Sequence, residues 1–304
     1  MLSKALSHFP QFRFRDGEKR LRNPILKKTF VNLPEERVRL KLIDFLTKEA
    51  GIPGSRVSFE SPVNLAGDKS RSRTDIICYD KNFKPLLLVE CKAPDIKIDE
   101  KAAIQVARYN QKVGAPFVLV SNGILDFWFK IEGKQIIPQK EIPKPFSPKN
   151  EIIRSLTYWE ERAFIGHHLK PVGGTFAKTS CAFLFSDPHQ PVRFLSFDGF
   201  PEEFALGHYY RIYGIKENVK IGVSIAANPY GGTRLNVVLN KGGANTAFFT
   251  ASLNLIAEQE DMNTEIHSLK GRSEIDLTNE TGFDINKNIA DMIPEFQRLL
   301  LKHS

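Results

Sequence analysis

The chain of 304 residues contains few cysteines and no long apolar run. Cys78, Cys91 and Cys181 are odd in number and lack CxxC spacing, so neither a disulfide framework nor a structural zinc site is expected. The apolar runs, such as 85–89 and 115–120, are far shorter than the roughly 20 residues that cross a membrane, and no apolar stretch follows the first lysine. These absences predict a folded cytoplasmic protein with no membrane partner.

A nucleotide-binding loop of the form GxxxxGK[ST] is also missing. The nearest match is Gly67-Asp68-Lys69-Ser70, which has neither the first glycine nor the required spacing. ATP is therefore not an expected ligand, and an ATP-driven motor is not expected.

The positive charge is concentrated in one half of the chain. The net charge is +8, but residues 1–150 hold 28 basic and 17 acidic side chains, whereas residues 151–304 hold 15 and 18. This asymmetry favours a polyanionic partner for the N-terminal half. On charge alone, a basic surface kept for solubility is an equally good interpretation.

A cluster of prolines between residues 138 and 148 predicts a linker over 137–150, because proline cannot continue a helix or the interior of a sheet. The predicted domains are therefore 1–136 and 151–304, and 41% hydrophobic residues suffice for two cores. The first domain mixes helices and strands, which indicates an α/β fold. Its predicted elements are a helix at 33–50, a hairpin at 74–92, a helix at 99–112 and strands at 117–121 and 127–131.

The second domain is predicted to be a β-rich α+β domain. A helix at 151–169 is followed by β-type runs separated by glycine and asparagine turns, and an amphipathic helix at 289–302 closes the chain. The predicted strands are 209–215, 220–227, 234–240 and 247–253.

Two carboxylates are expected to meet at one end of the hairpin. If the loop is 81–84, Asp80 lies opposite Pro85 and Asp75 lies opposite Glu90. Directly opposed like charges start only about 5 Å apart and destabilise a strand pair. A cation is therefore expected between Asp75 and Glu90, and a divalent metal is the simplest choice.

Strand alternation adds a lysine to this pair. Glu90 and Lys92 project from one face, whereas Cys91 projects from the other and is interpreted as a core residue. Carboxylate oxygens suit Mg²⁺ or Mn²⁺, and a nearby lysine can orient or deprotonate a water or stabilise a pentavalent phosphate. The set predicts cleavage of phosphodiester bonds.

From about Arg22 to Ile131, the sequence resembles the PD-(D/E)xK nuclease superfamily, and more narrowly the N-terminal nuclease domain of type I restriction enzyme R subunits. The ordered series of motifs is more specific than Asp and ExK alone, and the rest of an R subunit, an ATP-driven motor, has no counterpart here. The resemblance implies a restriction-endonuclease-like core with a mixed sheet flanked by helices, and it implies that Asp75, Glu90 and Glu35 serve the metal while Lys92 is catalytic. The matching residues are Asn23-Pro24-Ile25, Pro34-Glu35-Glu36-Arg37-Val38-Arg39, Arg73-Thr74-Asp75-Ile76, Leu88-Val89-Glu90-Cys91-Lys92-Ala93-Pro94 and Gln105-Val106-Ala107-Arg108-Tyr109-Asn110.

The helix carboxylate could be Glu35 or Glu36. Glu35 shares a helix face with Val38 and Arg39, and the family pattern places its Glu four residues before an Arg, so Glu35 is favoured. The alternative is that Glu35 completes a helix cap begun by Asn32.

Five further residues are candidates for DNA contact. Gln105 and Tyr109, four residues apart on a helix, resemble the QxxxY motif. Arg71, Arg73 and Arg108 could hold phosphates, although a solvated turn explains the first two nearly as well.

The predicted function is a Mg²⁺- or Mn²⁺-dependent endonuclease that cleaves double-stranded DNA, in defence against foreign DNA. Cutting both strands with one site per chain would be simplest in a homodimer. The alternatives are a nucleic-acid-binding or regulatory protein that keeps the nuclease fold without cleavage, and a sensor whose C-terminal domain controls the nuclease.

Overall fold

A computed structural model describes residues 1–62, 73–99, 104, 110, 113–258 and 263–304. The chain divides into two compact units: the first contains residues 1–11 and 20–152, and the second contains residues 12–19 and 153–304. Within the described residues, no helix is long and apolar enough to cross a membrane.

The first unit is built on a mixed six-stranded sheet, as predicted. The strand order is β4-β5-β6-β7-β8-β9, and every neighbouring pair is antiparallel except the parallel pair β6 and β7. The strands are β4 (Val57–Pro62), β5 (Arg73–Tyr79), β6 (Pro85–Cys91), β7 (Phe117–Ser121), β8 (Asp126–Glu132) and β9 (Gln135–Gln139). A smaller sheet, whose residues 12–19 belong to the second unit, has the order β1-β2-β3 and consists of β1 (Gln11–Arg15), β2 (Glu18–Asn23) and β3 (Lys28–Phe30).

The predicted strands 117–121 and 127–131 correspond to β7 and β8. Leu88 of β6, Val118 and Val120 of β7 and Phe129 of β8 pack in one core cluster with Ile77 of β5. The alternate residues of β6 and β7 are buried as well. Because both faces of these central strands are covered, their sequences are continuous apolar runs without polar alternation.

The helix predicted at 33–50 is present. It consists of α1 (Pro34–Asp44) and a π-helical turn, Phe45–Glu49, that follows it. Proline in the first turn has the φ that a helix needs, and two first-turn glutamates complement the helix dipole. Leu33 is the N-cap and no side chain caps it. Instead, the Asn32 side chain accepts a hydrogen bond from Arg37, so the alternative cap begun by Asn32 is not formed. The predicted helix 99–112 lies almost wholly outside the described residues.

The segment 137–150, predicted as a linker, is packed within the first unit. Its start lies in β9, where Pro138 occupies an edge strand that tolerates a missing N–H donor. Phe146, in the 3-10 turn Lys144–Phe146, is fully buried between Phe117 and Trp128. The Lys149 amide donates to the Glu49 carbonyl at 2.8 Å. Burial of the Phe146 ring holds this proline-rich segment against the unit, which a composition argument could not anticipate.

The second unit contains a seven-stranded antiparallel sheet whose strands follow the chain order, which confirms a β-rich domain. The strands are β10 (Val192–Leu195), β11 (His208–Lys216), β12 (Val219–Ala227), β13 (Thr233–Lys241), β14 (Ala244–Ser252), β15 (Asn263–Ser268) and β16 (Gly271–Asp276). The described α-helices are Leu156–Glu161, Pro171–Phe185, Leu253–Glu258, Leu277–Thr281 and Ile289–His303.

The four predicted strands and the terminal helix of this unit are confirmed, but the helix predicted at 151–169 is wrong. Only Leu156–Glu161 is helical, and Ser155 caps its start by accepting from the Tyr158 amide. The helix ends because Ala163 has a φ of +53°. The following helix, Pro171–Phe185, was not predicted, since Gly173 and Gly174 lower its intrinsic helix propensity.

Candidate active site

The hairpin of β5 and β6 has the register that brings its two carboxylates opposite each other. Ile76 pairs with Val89 and Ile77 with Leu88. The same register, extended by one residue, sets Asp75 opposite Glu90. The prediction fails nearer the turn, where a register shift pairs Tyr79, and not Asp80, with Pro85.

The Asp80 side chain closes that turn by accepting the backbone N–H groups of Asn82 at 2.8 Å and Lys84 at 2.9 Å. Because Asp80 belongs to the turn, it does not pair with Pro85, and the register of the two strands shifts between Cys78 and Tyr79. The shift lies at the far end of the hairpin and leaves the register beside Asp75 unchanged.

Both carboxylate oxygens of Asp75 are held in place. Oδ1 accepts from Nη2 of Arg39 at 2.7 Å, and Oδ2 accepts from the backbone N–H of Cys91 at 2.7 Å. One bond comes from α1 and the other from the facing strand. The orientation of this carboxylate is therefore fixed by two different elements.

Arg39 lies among three carboxylates. Its guanidinium contacts Glu36, bonds to Asp75, and lies 3.7 Å from Oε1 of Glu35. Burial lowers the pKa of Arg39, but the charges of Asp75 and Glu36 outweigh this effect and the net result is a raised pKa. Arg39 is thus a fixed positive charge between helix and sheet.

Glu90 and Lys92 form a separate ion pair at the site, with 2.6 Å between Oε1 and Nζ. Burial raises the pKa of Glu90, the hydrogen bond from Lys92 opposes this, and the charges of Asp75 and Glu35 add to the rise. For Lys92, burial lowers the pKa, but the hydrogen bond and charge of Glu90 reverse that effect and the pKa is raised. Lys92 is therefore an ammonium group at neutral pH.

Cys91 is fully buried, and burial together with the charge of Asp75 raises the pKa of its thiol well above the usual value. A protonated, inaccessible thiol cannot act as a nucleophile. Cys91 belongs to the core, as its strand position predicts.

Glu35 and Glu36 occupy different environments. The Glu36 side chain is 9% exposed and contacts Arg39, whereas the Glu35 side chain is 47% exposed. The charge of Glu35 also acts on Glu90 and Lys92, as a smaller contribution after burial and the Glu90–Lys92 bond. Glu35 therefore lies on the solvent-exposed side of the site, whereas Glu36 is buried and forms an ion pair with Arg39.

The predicted DNA-contacting residues are only partly described. Arg73 is the first residue of β5 and its backbone pairs with Pro62 of β4. Arg71, Gln105, Arg108 and Tyr109 lie outside the described residues. The sequence interpretation did not assign a role to Arg39, although its i,i+4 spacing from Glu35 was a signal for an ion pair.

The carboxylates fit a magnesium ion with few protein ligands. Among the described residues, no three His, Cys, Asp or Glu side chains are close enough together to hold a metal ion. Mg²⁺, however, is commonly bound by one or two carboxylates and keeps several waters. Asp75 and Glu90 would supply two such hard oxygen donors.

Residues 34–143 match the family described as type I restriction enzyme R protein N terminus (HSDR_N). This segment resembles a type I R subunit nuclease domain. The resemblance predicted from the motifs is thereby confirmed, and the matched range contains Glu35, Asp75, Glu90 and Lys92. Residues 153–304 lie outside the match. No curated protein matches the chain.

Proposed function

We propose that the protein is a metal-dependent endonuclease of the restriction type that hydrolyses phosphodiester bonds of DNA, in defence against foreign DNA. The observation that carries this proposal is the opposition of Asp75 and Glu90 beside Lys92, within the segment that resembles the R protein N terminus.

In this proposal, Asp75 and Glu90 hold Mg²⁺ or Mn²⁺. The two bonds to Asp75 orient its carboxylate before any metal arrives, which reduces the cost of ordering the site. The bound ion would polarise a phosphate oxygen and supply an activated water. Glu35, which is the more exposed of the two helix glutamates, faces the solvent side of the same site.

Lys92 is proposed to stabilise negative charge on the phosphate. Its Nζ is held 2.6 Å from Oε1 of Glu90, and this bond keeps the amine protonated. A fixed ammonium stabilises a pentavalent phosphate electrostatically, whereas a general base would have to be neutral. The contact with Glu90 thus favours electrostatic stabilisation over proton abstraction.

The substrate is proposed to be double-stranded DNA bound by the first unit. Residues 1–150 carry a net charge of +11, which suits a polyphosphate backbone. The residues proposed to contact it are Arg71, Arg73, Gln105, Arg108 and Tyr109.

The test is cleavage of supercoiled plasmid by the full chain with Mg²⁺ or Mn²⁺, using unmodified, methylated and single-stranded DNA as substrates. We expect nicking or linearisation that EDTA abolishes and that Asp75→Ala and Lys92→Ala lose. Lys97→Ala is the matched control, because Lys97 is an exposed lysine that follows the same strand. Cleavage that persists in EDTA or in Lys92→Ala would refute the proposed site. Salt-sensitive DNA binding with no cleavage of any substrate would favour a binding module.

A further inference from the structure

Strand β16 lies at the end of the seven-stranded sheet, and its pairing with β15 is regular. Within the described residues the sheet ends in the order β14-β15-β16, and all of β16 pairs with β15 without a register shift. At the ends of the two larger sheets, β4 and β9 each contain a proline and β10 directly follows Pro191, whereas β16 contains none. Proline on an edge strand hinders pairing with a further strand. The edge of β16 lacks this protection.

The outward-facing backbone groups of β16 belong to alternate residues that can be identified. Leu269, in the turn before β16, donates its N–H to a carbonyl of β14 at 3.3 Å, so strand alternation directs the N–H of Ser268 towards β16. Gly271 is the partner of Ser268, and its backbone groups therefore face β15. The backbone groups of Arg272 and Glu274 consequently face away from β15, and the side chains of both residues are exposed.

The charges along this edge are self-complementary. Residues 270–276 read Lys-Gly-Arg-Ser-Glu-Ile-Asp, with basic side chains before Ser273 and acidic side chains after it. If two copies pair antiparallel with Ser273 opposite Ser273, Arg272 of each copy lies opposite the partner's Glu274, and Lys270 lies level with the partner's Asp276. The neighbouring registers oppose two glutamates at position 274 or two arginines at position 272, and directly opposed like charges destabilise a strand pair.

The pairing within the chain gives Glu274 a like charge as its neighbour. Glu274 lies opposite Glu265 of β15, and the Glu265 carboxylate is 3.0 Å from Nε2 of His267. A second copy would place the partner's Arg272 on the free side of Glu274. The edge therefore matches the charges of its own sequence better than those of the neighbouring strand.

We infer that β16 is the contact between two copies of this chain, which pair β16 with β16 antiparallel about a two-fold axis at Ser273. The partner is recognised by strand addition, with backbone hydrogen bonds for affinity and the charge pattern for register. This contact lies in the second unit and does not depend on the metal site. It adds to the proposed function two nuclease units in one particle, which suits cleavage of both DNA strands.

The test is sedimentation velocity of the full chain over a range of protein concentrations. We expect the unsubstituted chain to form a dimer. Arg272→Glu opposes two glutamates and Glu274→Arg opposes two arginines, so each variant alone should be monomeric. An equimolar mixture of the two should dimerise, and so should the chain that carries both substitutions, because each restores opposite charges. Lys178→Glu, at an exposed lysine of the helix Pro171–Phe185, is the matched control and should remain dimeric.

A backbone variant tests strand addition separately from charge. Glu274→Pro removes an outward-facing N–H and leaves the groups that face β15 in place, so it should also be monomeric. Should this variant fail to fold by circular dichroism, the charge variants decide, because they alter only exposed side chains.

The outcomes separate this inference from the proposed function. A monomeric unsubstituted chain at every concentration would overturn the inference, and so would dimers of both single charge variants or a mixture that stays monomeric. Dimers that cleave no DNA would overturn the proposed function and leave the β16 contact standing. Monomers that cleave DNA would do the reverse.

Discussion

Nη2 of Arg39 lies 2.7 Å from Oδ1 of Asp75 and so joins α1 to β5 across 36 residues of sequence. The same guanidinium contacts Glu36 one turn earlier on the helix. The position of Asp75 at the end of the hairpin therefore depends on how α1 docks against the sheet. Glu36 and Glu35, adjacent in sequence, consequently have separable roles.

Glu35→Ala should lower cleavage, whereas Glu36→Ala should lower the stability of the fold. Glu35 is proposed to serve the acidic site, so its loss should abolish most cleavage. Because its side chain is 47% exposed, the free energy of unfolding should be nearly unchanged. Glu36 is buried against Arg39, so its loss should lower that free energy by about 1–3 kcal/mol, the usual cost of leaving a buried partner unsatisfied. Plasmid cleavage and urea denaturation of both variants provide the measurements. The reverse pattern would transfer the catalytic assignment to Glu36.

Replacing Lys92 should reduce cleavage much more than DNA binding. Lys92→Met keeps the length of the side chain but removes the ammonium group that is held at Glu90. We expect a loss of about 10²–10³-fold in the single-turnover cleavage rate, the range typical of removing one group that stabilises charge in the transition state. Lys97→Met should cleave at the normal rate. Equal cleavage rates for Lys92→Met and Lys97→Met would show that Lys92 takes no part in catalysis.

Phe146→Ala should destabilise the first unit. The ring is fully buried, lies 5.4 Å from the Phe117 and Trp128 rings, and stacks on the latter. Truncating a buried phenylalanine costs about 3–5 kcal/mol of the free energy of unfolding.

Trp128 fluorescence during urea unfolding, in a Trp159→Phe background, reports on this unit alone. Phe83→Ala, at a ring that is 68% exposed, is the control and should change stability by less than about 0.5 kcal/mol. A neutral effect of Phe146→Ala would restore the interpretation of 137–150 as a linker.

Lys19 should make the stability of the second unit increase with pH. Its Nζ donates to Nδ1 of buried His208 at 2.8 Å and lies 5.0 Å from the centre of the Phe12 ring. Burial lowers the pKa of Lys19 to about 7, from 10.5 for the free side chain. Between these values the unfolded chain binds more protons than the folded chain, so the free energy of unfolding rises with pH above about 7.

The measurement for Lys19 is urea unfolding at four pH values between about 7 and 8, chosen to stay below the ordinary pKa of cysteine, about 8.5. Trp159 fluorescence in a Trp128→Phe background follows the second unit. Lys19→Met should flatten the rise, whereas Lys178→Met, at an exposed helical lysine, should retain it. A slope that is identical in all three proteins would contradict a neutral Lys19 in the folded state.

DNA affinity should fall steeply as salt rises. Each neutralised phosphate contributes about −0.9 to the slope of log K against log salt concentration. Fluorescence anisotropy of a labelled duplex between about 50 and 200 mM salt measures that slope, with the excess positive charge of residues 1–150 as its expected source. Affinity that is insensitive to salt would argue against a phosphate-dominated interface.

The sequence by itself determined the local features of this protein. The hairpin register beside Asp75 follows from strand alternation and loop length, both of which depend on near neighbours. The ExK spacing placed Glu90 and Lys92 together for the same reason, and the apolar runs and glycine turns predicted both sheets. The motif series between about Arg22 and Ile131 was enough to identify the resemblance to the R protein N terminus, which the family match then showed for residues 34–143.

Only the tertiary structure decided which distant residues meet. The bond between Arg39 and Asp75 depends on the docking of α1 against the sheet, and the burial of Phe146 depends on Trp128 lying beneath it. Residues 12–19 group with the second unit for a similar reason, since Lys19 and Phe12 pack against His208. Local propensity carries no information about such contacts, because their energy exists only after separate elements have packed together.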